Sequence, residues 1–270
     1  MSQPFVLRTR YYLAGVVLLT SILCCIESVT AFSTPVASVR SRSGKCHDYE
    51  TRNRGPSGTV ALSFSQDSKF PDVPRPEPSI LLSSQGDVQQ KLGVMGIGVG
   101  ILGGTWLATN SLLWLDSLSG GLVKSVLLFT TPFGLGLVFT ALGVTHFIYK
   151  KEYAAIVPPP GTWGGLWNVP APGAERFGLS YADYHVYWTG VAEIGGGLLL
   201  LLGGLHTIPV QIPALLLFGL TLAVTPANIY MFTHDAQLTF GPPLRYPNDH
   251  VVRAILQIVI LSQLWYLVVA

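Results

Sequence analysis

Thr189-Gly190-Val191-Ala192-Glu193-Ile194-Gly195-Gly196-Gly197-Leu198-Leu199-Leu200-Leu201-Leu202-Gly203-Gly204-Leu205 decides the fold. The stretch is apolar or small throughout, with one acid at Glu193. Together with His185 to Trp188 it is long enough to cross a bilayer, which takes roughly 20 such residues in a helix. Only a helix or a closed barrel satisfies its backbone there, and no period-2 alternation marks a barrel strand. Four other stretches share this character. The expected spans lie near 92–115, 126–149, 185–205, 212–233 and 250–269. The fold class is therefore all-α, a polytopic transmembrane helical bundle occupying residues 91–270.

Composition agrees. Hydrophobic residues make up 49% of the 270 residues and charged ones 11%, less than half the usual charged share of about 25%. The net charge of +2 comes from scattered basic residues and gives no argument for nucleic acid. The three cysteines, Cys24, Cys25 and Cys46, all precede the apolar region. They fall in what reads as presequence, which argues against disulfides, Cys-type zinc, iron–sulfur ligation and thiol chemistry in the mature chain.

Residues 1–31 read as a signal peptide, with Arg8 and Arg10 before the apolar run Tyr11 to Ile26 and small residues at Val29-Thr30-Ala31. Residues 32–60 have transit-peptide composition, rich in Ser and Arg with no acid until Asp48. The junction Ala31-Phe32-Ser33 resembles the bipartite presequence of algae with complex plastids, and implies a thylakoid or inner-envelope membrane protein. Residues 61–90, with Pro71, Pro74, Pro76 and Pro78, read as a disordered leader. Lys91, Lys150, Lys151, Arg176 and Arg245 put the N-terminal side of the first span and the second and fourth loops on one face.

Gly96, Gly100 and Gly104 form a small-residue stripe on the first span. Such stripes let helix backbones approach closely. Packing within the chain is the expected use, and a homodimer through this stripe is the alternative. The loop 152–184 carries Pro158-Pro159-Pro160, Trp163, Trp167, Tyr181 and Tyr184, and reads as an interfacial segment or a cap over the bundle.

An ionisable group within a span is a functional hypothesis by default. Glu193 shares a face with Thr189, Gly190, Gly196 and Gly197 and is expected to point into the bundle. Asn228 on the fourth span, and Arg253 and Gln257 on the fifth, fall at matching depth. His146, His185, His234 and His250 are expected to ring the same end. Three readings compete. In the first, Glu193 pairs with Arg253 while Asn228 and Gln257 act as interhelical glue, worth on average about 0.6 kcal/mol per contact. The second is a site for an amphipathic molecule such as a quinone, with His and Arg on its polar head. The third is metal or haem ligation by pairs of the histidines, although no His-x-x-His or Glu-x-x-His spacing occurs.

His185-Val-Tyr-Trp-Thr-Gly-Val-Ala-Glu193-Ile-Gly-Gly-Gly followed by Thr225-Pro-Ala-Asn228 resembles the DoxX-like membrane proteins. Their pattern is a Gly-x-x-Glu-x-x-Gly-Gly helix and then a Pro-Ala-Asn helix. His146-Phe147 and Ile156-Val-Pro158 fit the family's first helix and loop, and the Pro-Gly-Thr-Trp-Gly loop looks most like the plastid and cyanobacterial branch. The resemblance covers residues 130–269 as a four-helix core, with the first span as an addition. It implies first an accessory or assembly component of a membrane protein complex, with other membrane proteins as partners; the alternative is a quinone-binding subunit of a membrane oxidoreductase. No cofactor motif is evident, so the chain is not expected to act as an enzyme alone.

Overall fold

The computed structural model describes residues 73–238 and 243–270. The expected signal peptide, transit peptide and most of the leader lie outside the described residues. Within them are seven α-helices and three short 3-10 turns, with no strand. The helices are α1 (Asp87–Ser119), α2 (Leu122–Ile148), α3 (Lys150–Ala155), α4 (Thr162–Gly165), α5 (Tyr181–Gly204), α6 (Gln211–His234) and α7 (Asn248–Val269). Five of them, α1, α2, α5, α6 and α7, are long and apolar enough to cross a membrane. The protein is a helical membrane protein.

The spans exceed the apolar runs because capping extends helices into polar sequence. α1 begins at Asp87 rather than near 92, where the Gln89 Oε1 accepts the Gly86 N–H at 2.9 Å. α5 begins where Ser180 Oγ accepts the Asp183 N–H at 3.1 Å, an N-cap bond. Asp183 also suits the positive end of the helix dipole. Gly120 and Gly121, both left-handed, end α1 and turn the chain into α2. Residues 78–84, expected as disordered leader, instead form two 3-10 turns. Leu81 is buried there and Leu82 packs beside Val94 and Trp163. Arg75 bonds Asp235 at the end of α6 over 2.8 Å. Leu81 and Leu82, just after the last proline, hold this piece of the leader against the bundle.

The tightest helix pair is α2 with α5, and glycine is the reason. A Cβ at Gly143 would stand 2.7 Å from the Gly190 carbonyl, and one at Gly197 would stand 2.7 Å from the Gly136 carbonyl. The two backbones touch at points seven residues apart on each helix. That close approach is the main source of helix association where lipid offers no hydrophobic drive. It turns the Glu193 face inward, as expected. α6 and α7 complete a four-helix ring. Leu135, Phe139, Leu200, Ala214, Leu217, Leu264 and Leu267 fill one half of it as a close-packed layer.

α1 lies outside the ring, against α7. Gly104 meets Ile258 there, whereas Gly96 and Gly100 face open space. Packing within the chain therefore accounts for only one glycine of the expected stripe. The three sit one helical turn apart, but α7 reaches only the last of them. Pro226 does not end α6, which runs on to His234. It does leave the Leu222 carbonyl without its helical N–H partner.

The proline-rich loop folds over the other half of the ring. Its anchor is Trp163, which is 3% exposed and packs with Val94 and Ile229. Trp163 adopts a left-handed backbone, φ 56°, at a cost of order 1 kcal/mol or more for a non-glycine residue. Burial of the indole offsets that cost, and its N–H donates to Thr233 Oγ1 at 3.0 Å. Thr233→Val keeps the shape but leaves this buried N–H unpaired. We expect a loss of about 1–3 kcal/mol and faster protease cleavage within 156–180. Cleavage at the wild-type rate would show that the bond does not hold the loop.

Candidate functional site

Beneath the loop the ring is hollow. A cavity of about 730 Å³ lies between α2, α5, α6, α7 and the loop. Most of its wall is apolar, from residues such as Val138, Phe139, Val186, Leu222, Met231 and Ile260. Ile156, Val157, Pro158, Trp167 and Val169 form its roof, so the capping role expected of the Trp-rich loop is observed. Polar side chains enter at a few points: His146, Tyr153, His185, Glu193, Asn228, Arg253 and Gln257. A large apolar space with a few convergent polar groups is the usual form of a ligand pocket.

Six of the eight residues anticipated from sequence thus line one cavity. His234 and His250 do not. His234 stacks on Tyr230 with ring centroids 4.3 Å apart and meets Thr233 Oγ1 at 2.8 Å. His250 packs edge-on against Phe232 and Tyr246. Equal depth along two helices does not fix the side of the helix, and both rings turn toward aromatic neighbours away from the cavity. The expected ring of four histidines does not form, and among the described residues no three His, Cys, Asp or Glu side chains come together.

The expected Glu193–Arg253 pair does not form either. Glu193 Oε2 stands 3.3 Å from His146 Nδ1, while Arg253 Nη2 donates to Asn228 Oδ1 at 2.8 Å. The reason is register. Glu193 faces α2 through the glycine contact, and Arg253 faces α6 across the cavity. His146 Nδ1 also faces the Leu142 carbonyl at 3.0 Å. A carbonyl only accepts, so Nδ1 carries the hydrogen and shares it unequally between Leu142 and Glu193. Glu193 Oε2 is thereby left buried without a well-formed bond.

The Arg253 side is a chain of neutral amides and hydroxyls. Asn228 Nδ2 donates to Gln257 Oε1 at 3.1 Å, and Gln257 Nε2 donates to Thr225 Oγ1 at 2.5 Å. Thr225 in turn donates to the Thr221 carbonyl at 2.9 Å. Among the described residues no carboxylate lies within ion-pair distance of Arg253. Its cationic head therefore reaches the cavity with a neutral amide oxygen, that of Asn228, as its hydrogen-bond partner among the described residues.

Two contributors were missed in the sequence. Tyr153, on α3, stacks on His146 with centroids 3.8 Å apart and meets Thr145 Oγ1 at 2.9 Å. Burial pushes its hydroxyl up to about pKa 12, so it enters the cavity as a neutral phenol. No periodicity could place it, because α3 is a separate short helix after the span. Trp188 donates from its indole to His185 Nδ1 at 2.9 Å. The spacing of three residues was a readable signal, since side chains at i and i+3 share a helix face.

No curated protein and no solved structure matches this chain. Residues 135–268, which take in the second half of α2, all of α5 and α6, and α7 up to its penultimate residue, match the model of a family described as a domain of unknown function, DUF8561.

Proposed function

We propose that this protein holds an amphipathic, ring-headed lipid of the quinone class inside its helical ring, as a subunit of a membrane oxidoreductase. One observation carries this reading: the Arg253 guanidinium faces a largely apolar cavity with no carboxylate within ion-pair reach among the described residues. An intramembrane cation is costly and is usually paired. A ligand oxygen would supply what Arg253 lacks, and the apolar wall would take a ring and the start of its tail. The presequence composition and the DoxX-like motif order favour a plastid membrane.

An accessory or assembly role is the second reading. It is favoured by α1, whose Gly96 and Gly100 face is open and whose Trp106 and Trp114 are exposed. That face suits a helix of another membrane protein or of a second copy. The deciding experiment is mass spectrometry of small molecules extracted from the protein purified from its native membrane in mild detergent. We expect one aromatic lipid with oxygen on its ring at close to one per chain. Bulk phospholipid alone, with partner proteins co-purifying, would set the ligand reading aside in favour of the accessory one.

A further inference from the structure

We infer that His185 is the residue that selects the ligand's head group, as a fixed hydrogen-bond donor to a carbonyl-type oxygen. The inference rests on the ligand reading above and adds to it the polarity of one contact.

The tautomer of His185 is set by its neighbour. An indole N–H can only donate, so His185 Nδ1, which receives it from Trp188 at 2.9 Å, carries no hydrogen. The hydrogen of the neutral ring is then on Nε2. Nε2 is buried and has no partner among the described residues. His185 is 8% exposed and lines the cavity. A buried N–H left unpaired costs about 1–3 kcal/mol, so the fold carries an unsatisfied donor within the cavity wall.

Packing holds the ring in place. Tyr181 and Tyr184 stand edge-on to it at 4.5 and 5.4 Å, and Trp167 of the roof lies at 6.4 Å. The imidazole has little freedom to turn its lone pair to the cavity instead. An Nε2 that bears hydrogen offers nothing to a metal ion, so the same geometry argues against haem or metal ligation at this histidine.

Glu193 provides the contrast. It lies eight residues further along α5, about 12 Å deeper along the helix axis. Its Oε2 has only the shared His146 hydrogen at 3.3 Å. The cavity wall therefore holds an unpaired donor near the roof and an under-bonded carboxyl group deeper in. The class of head group that fits the donor is a ring carbonyl; a head group bearing only hydroxyl hydrogens near the roof would have to turn an oxygen lone pair to Nε2.

The test uses the full chain purified in detergent and two probes with the same tail, a decyl-substituted 1,4-benzoquinone and decylbenzene. Each is incubated with protein, and the amount co-eluting after gel filtration is measured over a concentration series. Wild type should retain the quinone at least tenfold better than decylbenzene. His185→Phe should lose roughly tenfold in quinone affinity, the worth of one buried hydrogen bond, with decylbenzene unchanged. Trp188→Phe frees the tautomer and should lose part of the same preference, and it carries the test if His185→Phe does not fold. His250→Phe, outside the cavity, should behave as wild type. Quinone bound selectively but equally well by wild type, His185→Phe and Trp188→Phe would overturn the role of His185 and leave the ligand reading standing. Failure of wild type to retain the quinone above decylbenzene would overturn both.

Discussion

Gly143→Leu is expected to leave little or no folded protein in the membrane. The position is one of the two points where the backbones of α2 and α5 touch. A Cβ would already lie 2.7 Å from both the Gly190 carbonyl oxygen and the Ile194 nitrogen. Those are backbone atoms of a helix, so no rotamer change can make room. Overpacking a core by a few methylenes costs about 1–3 kcal/mol when side chains can shift. Here two helix axes must separate, and the cost is expected above that range. Separation would also open the cavity, because Glu193 and His146 meet across this same interface. Gly143→Ala should be milder yet still destabilising, and Gly96→Leu, which meets open space, should be near neutral. Yield of monodisperse protein and the thermal midpoint in detergent give the measurement. A Gly143→Leu protein that purifies and melts like wild type would mean that the helix contact is not needed for the fold.

That contact also shows what the sequence could and could not convey. Apolar length alone located all five spans to within a few residues, because the bilayer imposes one dominant constraint on composition. The inward direction of Glu193 was legible from Gly190 and Gly197 on its own helix. Its partner was not. Charge complementarity suggested Arg253, but pairing depends on which helices are neighbours and at what register, and Gly136 and Gly143 fix that on a different span. The same limit explains His234 and His250. Both share depth with His146 and His185, yet depth is one coordinate, and the rotation of each helix is set by packing that no single span encodes. Tyr153 escaped because a short helix after the span returns it to the site.

Arg253→Met is expected to separate ligand binding from stability with opposite signs. If Arg253 were structural glue, its removal would resemble breaking a buried ionic contact, a loss of about 3–5 kcal/mol. The contacts speak against that. Arg253 donates to one neutral amide oxygen, and the rest of the chain, Asn228 to Gln257 to Thr225, closes without it. Met has similar length and no charge to desolvate. Replacing a poorly paired buried charge with an apolar side chain of similar volume is often neutral or stabilising by about 1–4 kcal/mol. The Asn228 oxygen would lose its donor, at about 1–3 kcal/mol, which offsets part of the gain. The expected net is a thermal midpoint equal to or above that of the ligand-free wild type. Retention of the decyl benzoquinone should fall by tenfold or more, since charge-assisted bonds are the stronger ones. Arg253→Lys should keep the charge but lose the planar fork and sit between the two. A protein that is markedly destabilised yet still binds the quinone would make Arg253 a structural residue and remove the main support for the ligand reading. A protein that is stable and empty would mean that the bundle carries this cation, at a cost in stability, for the sake of its guest.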